Sequence, residues 1–180
     1  DHLGHHGHVA ATVASSLDAS PRYHPRQLVE HRQPEVQLAA LELCRMIGDP
    51  EVLRVAVPLL SEPHLHPQIS RVVASLGHLA GPTLQDLALA ATSTDLATIW
   101  TLVAALPAND TPASLQQHML ASLAGDTTTA CAAALALGHT GAPSCIAQLL
   151  PHLHAPDPLG ETVTSALTTL ATRESLASPD

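Results

Sequence analysis

Lysine is absent from the chain, whose seven basic residues are all arginines and stand against 16 carboxylates, giving a net charge of −9. Proteins that bind nucleic acid or an anionic membrane surface need clustered basic side chains, which displace the counterions held by phosphate groups. The acidic balance of this chain therefore argues against a nucleic-acid partner and against an anionic membrane surface.

Aromatic residues are almost as scarce, because the chain has no Phe and only Trp100 and Tyr23 of the other two types. Alanine and leucine number 30 each, whereas there are only eleven Val and four Ile. This balance favours helices over sheets. Fifteen prolines and nine glycines would interrupt any long helix. The composition predicts an all-α fold built from many short helices.

The three cysteines, Cys44, Cys131 and Cys145, are odd in number and show no C-x-x-C spacing. Such a set is typical of reduced, buried thiols in an intracellular protein and not of a disulfide framework. The first residues also lack the basic and then apolar pattern of a signal peptide. We therefore expect a cytoplasmic protein.

The histidines are densest at the start of the chain, in His2, His5, His6 and His8. Imidazole groups bind soft metal ions, but a structural or catalytic site also needs fixed ligand geometry. We expect residues 1–8 to form a flexible or tag-like tail. The four histidines are therefore only weak metal candidates, and we predict neither a metal site nor a cofactor.

The longest stretch without Asp, Glu, Lys or Arg runs from Thr127 to Pro156. It contains Gly138, His139 and Pro143, so no uninterrupted apolar helix of about 20 residues can be drawn through it. The stretch predicts two short buried helices and no membrane span.

An internal repeat is the strongest pattern in the sequence. Four turn-like segments, at 47–50, 80–82, 109–112 and 141–143, contain prolines at positions 50, 82, 112 and 143, so their spacing is nearly constant. Each proline opens an apolar helical stretch, since proline is tolerated in the first turn of a helix. Another helical stretch precedes each turn. The unit is therefore a pair of helices with a period of about 31 residues, which is typical of helical repeat proteins.

The helices predicted before the turns span residues 35–47, 68–79, 96–106 and 128–138, and 161–171 begins a further unit. Those predicted after the turns span 51–60, 83–91, 113–123 and 144–153. Four aspartates, Asp95, Asp110, Asp126 and Asp157, fall where turns and helix starts are expected. A carboxylate there accepts backbone N–H bonds and favours the positive end of the helix dipole.

The segment Pro34-Glu35-Val36-Gln37-Leu38-Ala39-Ala40-Leu41-Glu42-Leu43, followed by Ile47-Gly48-Asp49-Pro50-Glu51, resembles the short bacterial HEAT repeat, a subtype also seen in phycobilisome bilin lyases. The resemblance covers about residues 30–171. It implies a right-handed α-solenoid of about five helix pairs, whose concave face is lined by the helices that precede the turns. The implied organisation is a tail at 1–8, an N-terminal capping region at 9–29 and a repeat domain at 30–180.

HEAT-like arrays mostly bind other macromolecules, so the resemblance implies a scaffold that binds another protein. Six of the seven arginines lie at or before position 71. We therefore select Arg45 and Arg71 as candidate partner-binding residues. Gln37 is added because the family usually has an arginine at its place, and Trp100 because its helix would line the concave face. The alternative function is a bilin-lyase-like chaperone subunit that assists cofactor attachment.

Enzyme motifs of other classes are missing from the sequence. The HEAT-like di-iron hydroxylases use His-Glu dipeptides as ligands, and none occurs here. There is also no G-x-S-x-G, P-loop or G-x-G-x-x-G motif. His78 and His139 each follow a glycine and precede a repeat proline by four residues, so we expect them to bond the last carbonyls of their helices. We predict no catalytic residue.

Overall fold

The computed structural model describes residues 24–108 and 111–177. Its contacts divide the chain into two compact units, the first ending at Leu76 and the second beginning at Gly77, and each is described by itself. All regular elements in these residues are helical, without a strand. The prediction of an all-α protein is confirmed. The capping region predicted at 9–29 lies mostly outside the described residues.

Unit 1 contains a 3-10 turn and three α-helices. The turn spans Pro25–Leu28, α1 spans Pro34–Ile47, α2 spans Val52–Ala56 with a 3-10 continuation at Val57–Ser61, and α3 spans His66–Leu76. Helix α1 packs against α3 and against the 3-10 turn. The residues buried most completely in this unit include Leu41, Leu53, Leu65 and Ile69. Burial of these side chains supplies the main stabilising free energy of the unit.

The predicted turn at 47–50 is present between α1 and α2. Gly48 has a φ of 73°, and its N–H donates to the carbonyl oxygens of Cys44 and Arg45, which ends α1. Glycine adopts this left-handed conformation without the penalty that a Cβ brings. The Oδ1 atom of Asp49 then accepts a 3.1 Å hydrogen bond from the N–H of Glu51, just before α2 begins.

Unit 2 begins with a 3-10 turn at Gly77–Leu79 and continues as α4 (Ala80–Ala90), α5 (Ser93–Val103), α6 (Ala113–Ser122), α7 (Thr127–Thr140), α8 (Cys145–Leu149) with a 3-10 continuation at Leu150–His152, and α9 (Leu159–Ala177). Contacts connect alternate helices. Helix α7 packs against α5 and α9, and α6 packs against α4 and α8. The helices of unit 2 therefore form two rows, α4–α6–α8 and α5–α7–α9. The uncharged stretch after Asp126 forms the two short helices α7 and α8, as predicted.

The turn predicted at 80–82 is wrong. Helix α4 begins at Ala80 and contains Gly81 and Pro82 in its first turn. The break in the chain lies earlier, at Gly77, whose φ is 54°. Proline lacks only an N–H that has no partner in the first turn, so Pro82 fits inside the helix start.

One hydrogen bond recurs at a fixed separation along the row α4–α6–α8. The hydroxyl of Ser114 donates to Oε1 of Gln85 at 2.6 Å, and the thiol of Cys145 donates to Oε1 of Gln116 at 3.6 Å. Each donor is two residues after a repeat proline, and each pair is 29 residues apart. Both the donors and the acceptors of the two bonds are 31 residues apart, which matches the period seen in the sequence. Neighbouring helices of this row are therefore joined by equivalent polar contacts.

The helix starts show which predicted caps form. Asp126 is the N-cap of α7: its Oδ1 accepts from the N–H of Thr129 at 3.0 Å, and its Oδ2 accepts from the Thr129 hydroxyl at 2.7 Å. These hydrogen bonds lower the pKa of Asp126. Asp95 lies in the first turn of α5 and accepts from the hydroxyl of Thr92 instead of capping a backbone N–H. The predicted cap at Asp110 lies outside the described residues.

Helices α7 and α9 approach each other through small side chains. A Cβ atom added at Gly138 would lie 2.8 Å from the Cα and 3.0 Å from the Cβ of Ala166. The face of α7 that is buried in unit 2 also includes Ala130, Ala133, Ala134 and Ala136. Packing of helix backbones at this distance needs no aromatic side chain to fill the space between them.

None of the helices in the described residues is long and apolar enough to span a membrane.

Replacement of Gly138 by alanine should destabilise the protein by about 1–3 kcal/mol, because the new methyl group overlaps the backbone of Ala166. This loss should outweigh the gain in helix propensity, which is about 1 kcal/mol in favour of alanine. Chemical unfolding followed by circular dichroism measures the difference. Leu135→Ala is the control on the same helix, because Leu135 is 44% exposed. If Gly138→Ala were as stable as wild type, the close approach of α7 and α9 at this position would be contradicted.

The cap at Asp126 should make stability depend on pH. A carboxyl group whose native pKa is lowered contributes stability above its unfolded pKa of about 3.9, and this contribution is lost as the pH falls through the native pKa. Asp126→Ala should lower the melting temperature near neutral pH, whereas Asp126→Asn should retain a neutral cap. The difference between wild type and Asp126→Asn should shrink in acid. Parallel pH profiles of the two proteins would refute this role of the charge.

Candidate functional site

The structure brings two of the four candidate residues, Arg45 and Arg71, to one group in unit 1. Glu42 of α1 accepts a double hydrogen bond from Arg45, with Nε 2.9 Å from Oε2 and Nη2 2.5 Å from Oε1. Gln68 of α3 donates its Nε2 to Oε2 of the same carboxylate at 2.8 Å. Glu42 therefore connects α1 to α3. We call Glu42, Arg45, Gln68 and Arg71 the Glu42 cluster.

The charges of the Glu42 cluster do not cancel. Hydrogen bonds from Arg45 lower the pKa of Glu42 against the opposite effect of partial burial, and the positive charge of Arg71 lowers it further. The same contact raises the pKa of Arg45. Glu42 is thus ionised and already paired with Arg45. Because the cluster has two guanidinium groups and one carboxylate, it carries one surplus positive charge.

Arg71 carries that surplus at the surface. Its side chain is exposed, and within residues 24–108 and 111–177 it makes neither a hydrogen bond nor an ion pair. By contrast, Arg45 is half-buried and is held in place by Glu42. Arg71 is therefore free to bind an acidic group supplied by a partner.

The other two candidate residues are not on a surface, so for them the prediction of a partner-binding position is wrong. Gln37 is 5% exposed, because it lies on the same side of α1 as Leu41 and Cys44, which are in the core. Trp100 is fully buried in unit 2, where its ring meets the ring of His118 edge-on with centroids 5.3 Å apart. A large apolar ring gains more from burial than from exposure in a groove.

A second candidate site is a cleft of about 350 Å³ in unit 2. It lies where α7 ends and is lined by Ala108, Thr111, Gln116, Gly141, Ala142, Pro143, Arg173 and Glu174. Gln116 belongs to α6, and Ala108 and Thr111 precede it. The next three residues of the list connect α7 to α8, and the last two lie on α9. Two helices, α6 and α9, and the α7–α8 turn thus meet at this cleft.

Arg173 holds the end of α7. Its Nη1 donates to the carbonyl oxygens of Gly138, at 3.3 Å, and of His139, and its Nη2 donates to that of Gly141. The last carbonyls of a helix lack partners within the helix, and a positive charge complements its negative end. Arg173 was not among the candidate residues, although it is the only arginine after position 71.

Arg173 takes the role that was predicted for the histidines at the helix ends. His78 and His139 are both exposed. Throughout the part of the chain that the structure describes, neither imidazole bonds the carbonyls of its own helix. At the end of α7, Arg173 and not His139 binds the carbonyl oxygens, so the prediction is wrong for His139.

Gln116 forms the wall of the cleft between α6 and the α7–α8 turn. Its Nε2 donates to the carbonyl oxygen of Thr111 at 3.2 Å, and its Oε1 accepts from the N–H of Ala142 at 3.2 Å. The thiol of Cys145 also donates to this oxygen, and burial raises the pKa of that thiol. Cys145 is therefore a protonated hydrogen-bond donor. Its role is structural and it does not supply a nucleophile.

Within residues 24–108 and 111–177, no three His, Cys, Asp or Glu side chains are placed to hold a metal ion together. The weak metal candidates His2, His5, His6 and His8 lie outside the described residues. Burial, with a contribution from Asp49, raises the pKa of Cys44 to about 11, so this thiol is protonated near neutral pH.

Comparison of the chain with family models, curated proteins and solved structures gives no significant match. The resemblance to HEAT repeats therefore stays a prediction, and function must be argued from the residues of the two sites.

Replacing Arg173 by glutamine should destabilise the protein by roughly 1–3 kcal/mol, because the carbonyls at the end of α7 lose a charged donor. Arg173→Lys should restore only part of the loss, since one ammonium group cannot span three carbonyls as a guanidinium does. Denaturant unfolding of the three proteins gives the comparison. Arg32→Gln, at an exposed arginine in unit 1, is the control. Equal losses of stability in Arg173→Gln and Arg32→Gln would contradict the role of Arg173 at the end of α7.

Proposed function

We propose that the protein is an interaction module, a HEAT-like right-handed solenoid of about five helix pairs that binds another protein on its concave face. The contacts between alternate helices of unit 2, and the hydrogen bond that recurs 31 residues along the chain, support the repeat on which this proposal rests. In such an array the helices before the turns, including α1 and α3, line the concave face. Binding is passive, with no covalent chemistry.

The exposed guanidinium of Arg71 in the Glu42 cluster is the observation that carries the proposal. Arginine is enriched among the residues that dominate binding at protein interfaces. Here Glu42 fixes Arg45 and Gln68, so these neighbours of Arg71 in the cluster are already ordered before a partner arrives. An interface formed by an ordered side-chain cluster loses less conformational entropy on binding.

Exposed apolar side chains lie close to the cluster along the chain. Met46 is 70% exposed and Ile47 is 59% exposed, and both follow Arg45 at the end of α1. Methionine adapts its shape to different partners. Unit 1 thus offers both a positive charge and exposed apolar side chains, which suits a partner segment that has acidic and apolar residues.

A reducing compartment such as the cytoplasm suits the three free thiols, of which Cys44 and Cys145 are buried. The alternative function, a bilin-lyase-like subunit, rests only on the sequence resemblance. An absorbance change on mixing the protein with a free bilin would favour that alternative over the scaffold.

The proposal predicts that Arg71→Glu weakens partner binding. The full chain serves as bait in an extract of its source cells, and the recovered partner is then titrated against purified variants. Arg71→Glu should weaken binding by at least about tenfold, because it places a negative charge where an acidic group is expected. Added salt should weaken the binding of wild type more than that of Arg71→Glu.

The control is Arg32→Glu, which makes the same charge change at an exposed arginine of unit 1 outside the cluster. A partner that binds wild type, Arg71→Glu and Arg32→Glu equally would contradict the assignment of the surface to the Glu42 cluster. Circular dichroism of each variant verifies that the helices are intact.

A further inference from the structure

Two turns of unit 1 meet at a pair of ionisable side chains. His24 directly precedes the 3-10 turn at Pro25–Leu28, and its carbonyl oxygen accepts a 2.9 Å hydrogen bond from the N–H of Gln27. The Nδ1 atom of His24 lies 3.6 Å from Oδ2 of Asp49, which follows Gly48 in the turn between α1 and α2. The pair therefore connects the 3-10 turn to the α1–α2 turn, which is distant from it in sequence.

The two carboxylate oxygens of Asp49 differ in their hydrogen bonding. Oδ1 accepts from the N–H of Glu51 at 3.1 Å, whereas Oδ2 is buried and has no hydrogen-bond partner among the described residues. A buried carboxylate oxygen without a donor is unfavourable, because it has lost its bonds to water. The side chain of His24 is 42% exposed, so it can exchange a proton with solvent, and that of Asp49 is 13% exposed. Protonated His24 would therefore supply the donor that Oδ2 lacks.

The other ionisable groups around Asp49 do not supply this donor. Burial raises the pKa of the Cys44 thiol on α1, Asp49 raises it further, and Arg26 of the 3-10 turn opposes the rise, so the thiol is neutral. Glu51, at the start of α2, pairs with Arg54 at 2.8 Å. In the part of the chain that the structure describes, no arginine forms an ion pair with Asp49. The charge near Oδ2 is therefore decided by the proton on His24.

We infer from this arrangement that His24 and Asp49 form a pH-dependent ion pair that holds the 3-10 turn to the α1–α2 turn. Protonated His24 donates to Oδ2 of Asp49, and neutral His24 lacks the charge that attracts the carboxylate. Histidine changes its charge between about pH 5 and 8. A partner gained by the protonated form stabilises the fold in mild acid, and this stability is lost as the pH rises. Val29, which ends the 3-10 turn, is fully buried, so the turn should unfold together with unit 1.

A second pair in unit 1 has the same separation but an exposed carboxylate. Nε2 of His64 lies 3.6 Å from Oε2 of Glu62, and the two side chains are 41% and 43% exposed. Water and dissolved salt screen the attraction between exposed charges, so such pairs contribute little to stability. The pair of His64 and Glu62 is therefore a matched control for the effect of burial at Asp49.

The experiment is a double-mutant cycle on the full chain with His24→Gln, Asp49→Asn and the two combined, in which denaturant unfolding is measured at pH 5.5 and at pH 8. Asparagine keeps the side-chain oxygen that accepts from the N–H of Glu51, so Asp49→Asn removes chiefly the charge. The coupling between the two positions should change the unfolding equilibrium constant by about five- to tenfold at pH 5.5 and by less than about twofold at pH 8.

The control cycle, with His64→Gln and Glu62→Gln, should give a coupling below about twofold at both pH values. The amide of Gln27 adds a local readout, because its hydrogen-exchange protection at pH 5.5 should fall several-fold in Asp49→Asn. The proposed ion pair is overturned if the coupling of His24 and Asp49 is absent at pH 5.5 or is the same at pH 8. It is also overturned if the control cycle gives an equal coupling.

Discussion

The close approach of α7 and α9 is the constraint on which the structure of unit 2 depends. Where Gly138 faces Ala166 there is no room for one more methyl group. A core made largely of alanine and leucine gains little area from each alanine, so its stability relies on many short contacts between backbones. This explains how a chain with a single Trp and no Phe can bury helices on several sides.

A fold built from short helices has many helix ends, and each end leaves backbone N–H or C=O groups that need hydrogen-bond partners. In α7 the start is capped by Asp126 and the end is held by Arg173. Both of these charges are therefore placed by helix geometry. The cleft follows from the same requirement, since Arg173 must reach the end of α7 and thereby brings the adjacent Glu174 to the opening between α6 and α9.

Much of the fold could be predicted because the residues that favour helix starts and ends lie where packing also places these starts and ends. The helix predicted at 35–47 is α1, and the turn after it forms because Gly48 ends a helix as glycine commonly does. The turn expected at 80–82 failed because proline is equally compatible with a turn and with the first turn of a helix. Gln37 was misplaced because a polar side chain lies on the buried side of an otherwise regular stripe. The sites were harder to predict, since the carbonyls bound by Arg173 belong to another helix and are distant from it in sequence.

The two sites use charge in different ways, and this difference bears on function. In the Glu42 cluster the carboxylate is saturated by Arg45 and Gln68, so the remaining guanidinium of Arg71 faces solvent as a net positive charge. In the cleft, Arg173 gives part of its hydrogen bonds to backbone carbonyls and none to Glu174, so both charges remain in a confined space. A solvated single charge suits the acidic side chain of a large partner, whose other contacts exclude water from it. The guanidinium of Arg173 is instead occupied by the carbonyls at the end of α7, so its charge stabilises the fold of unit 2.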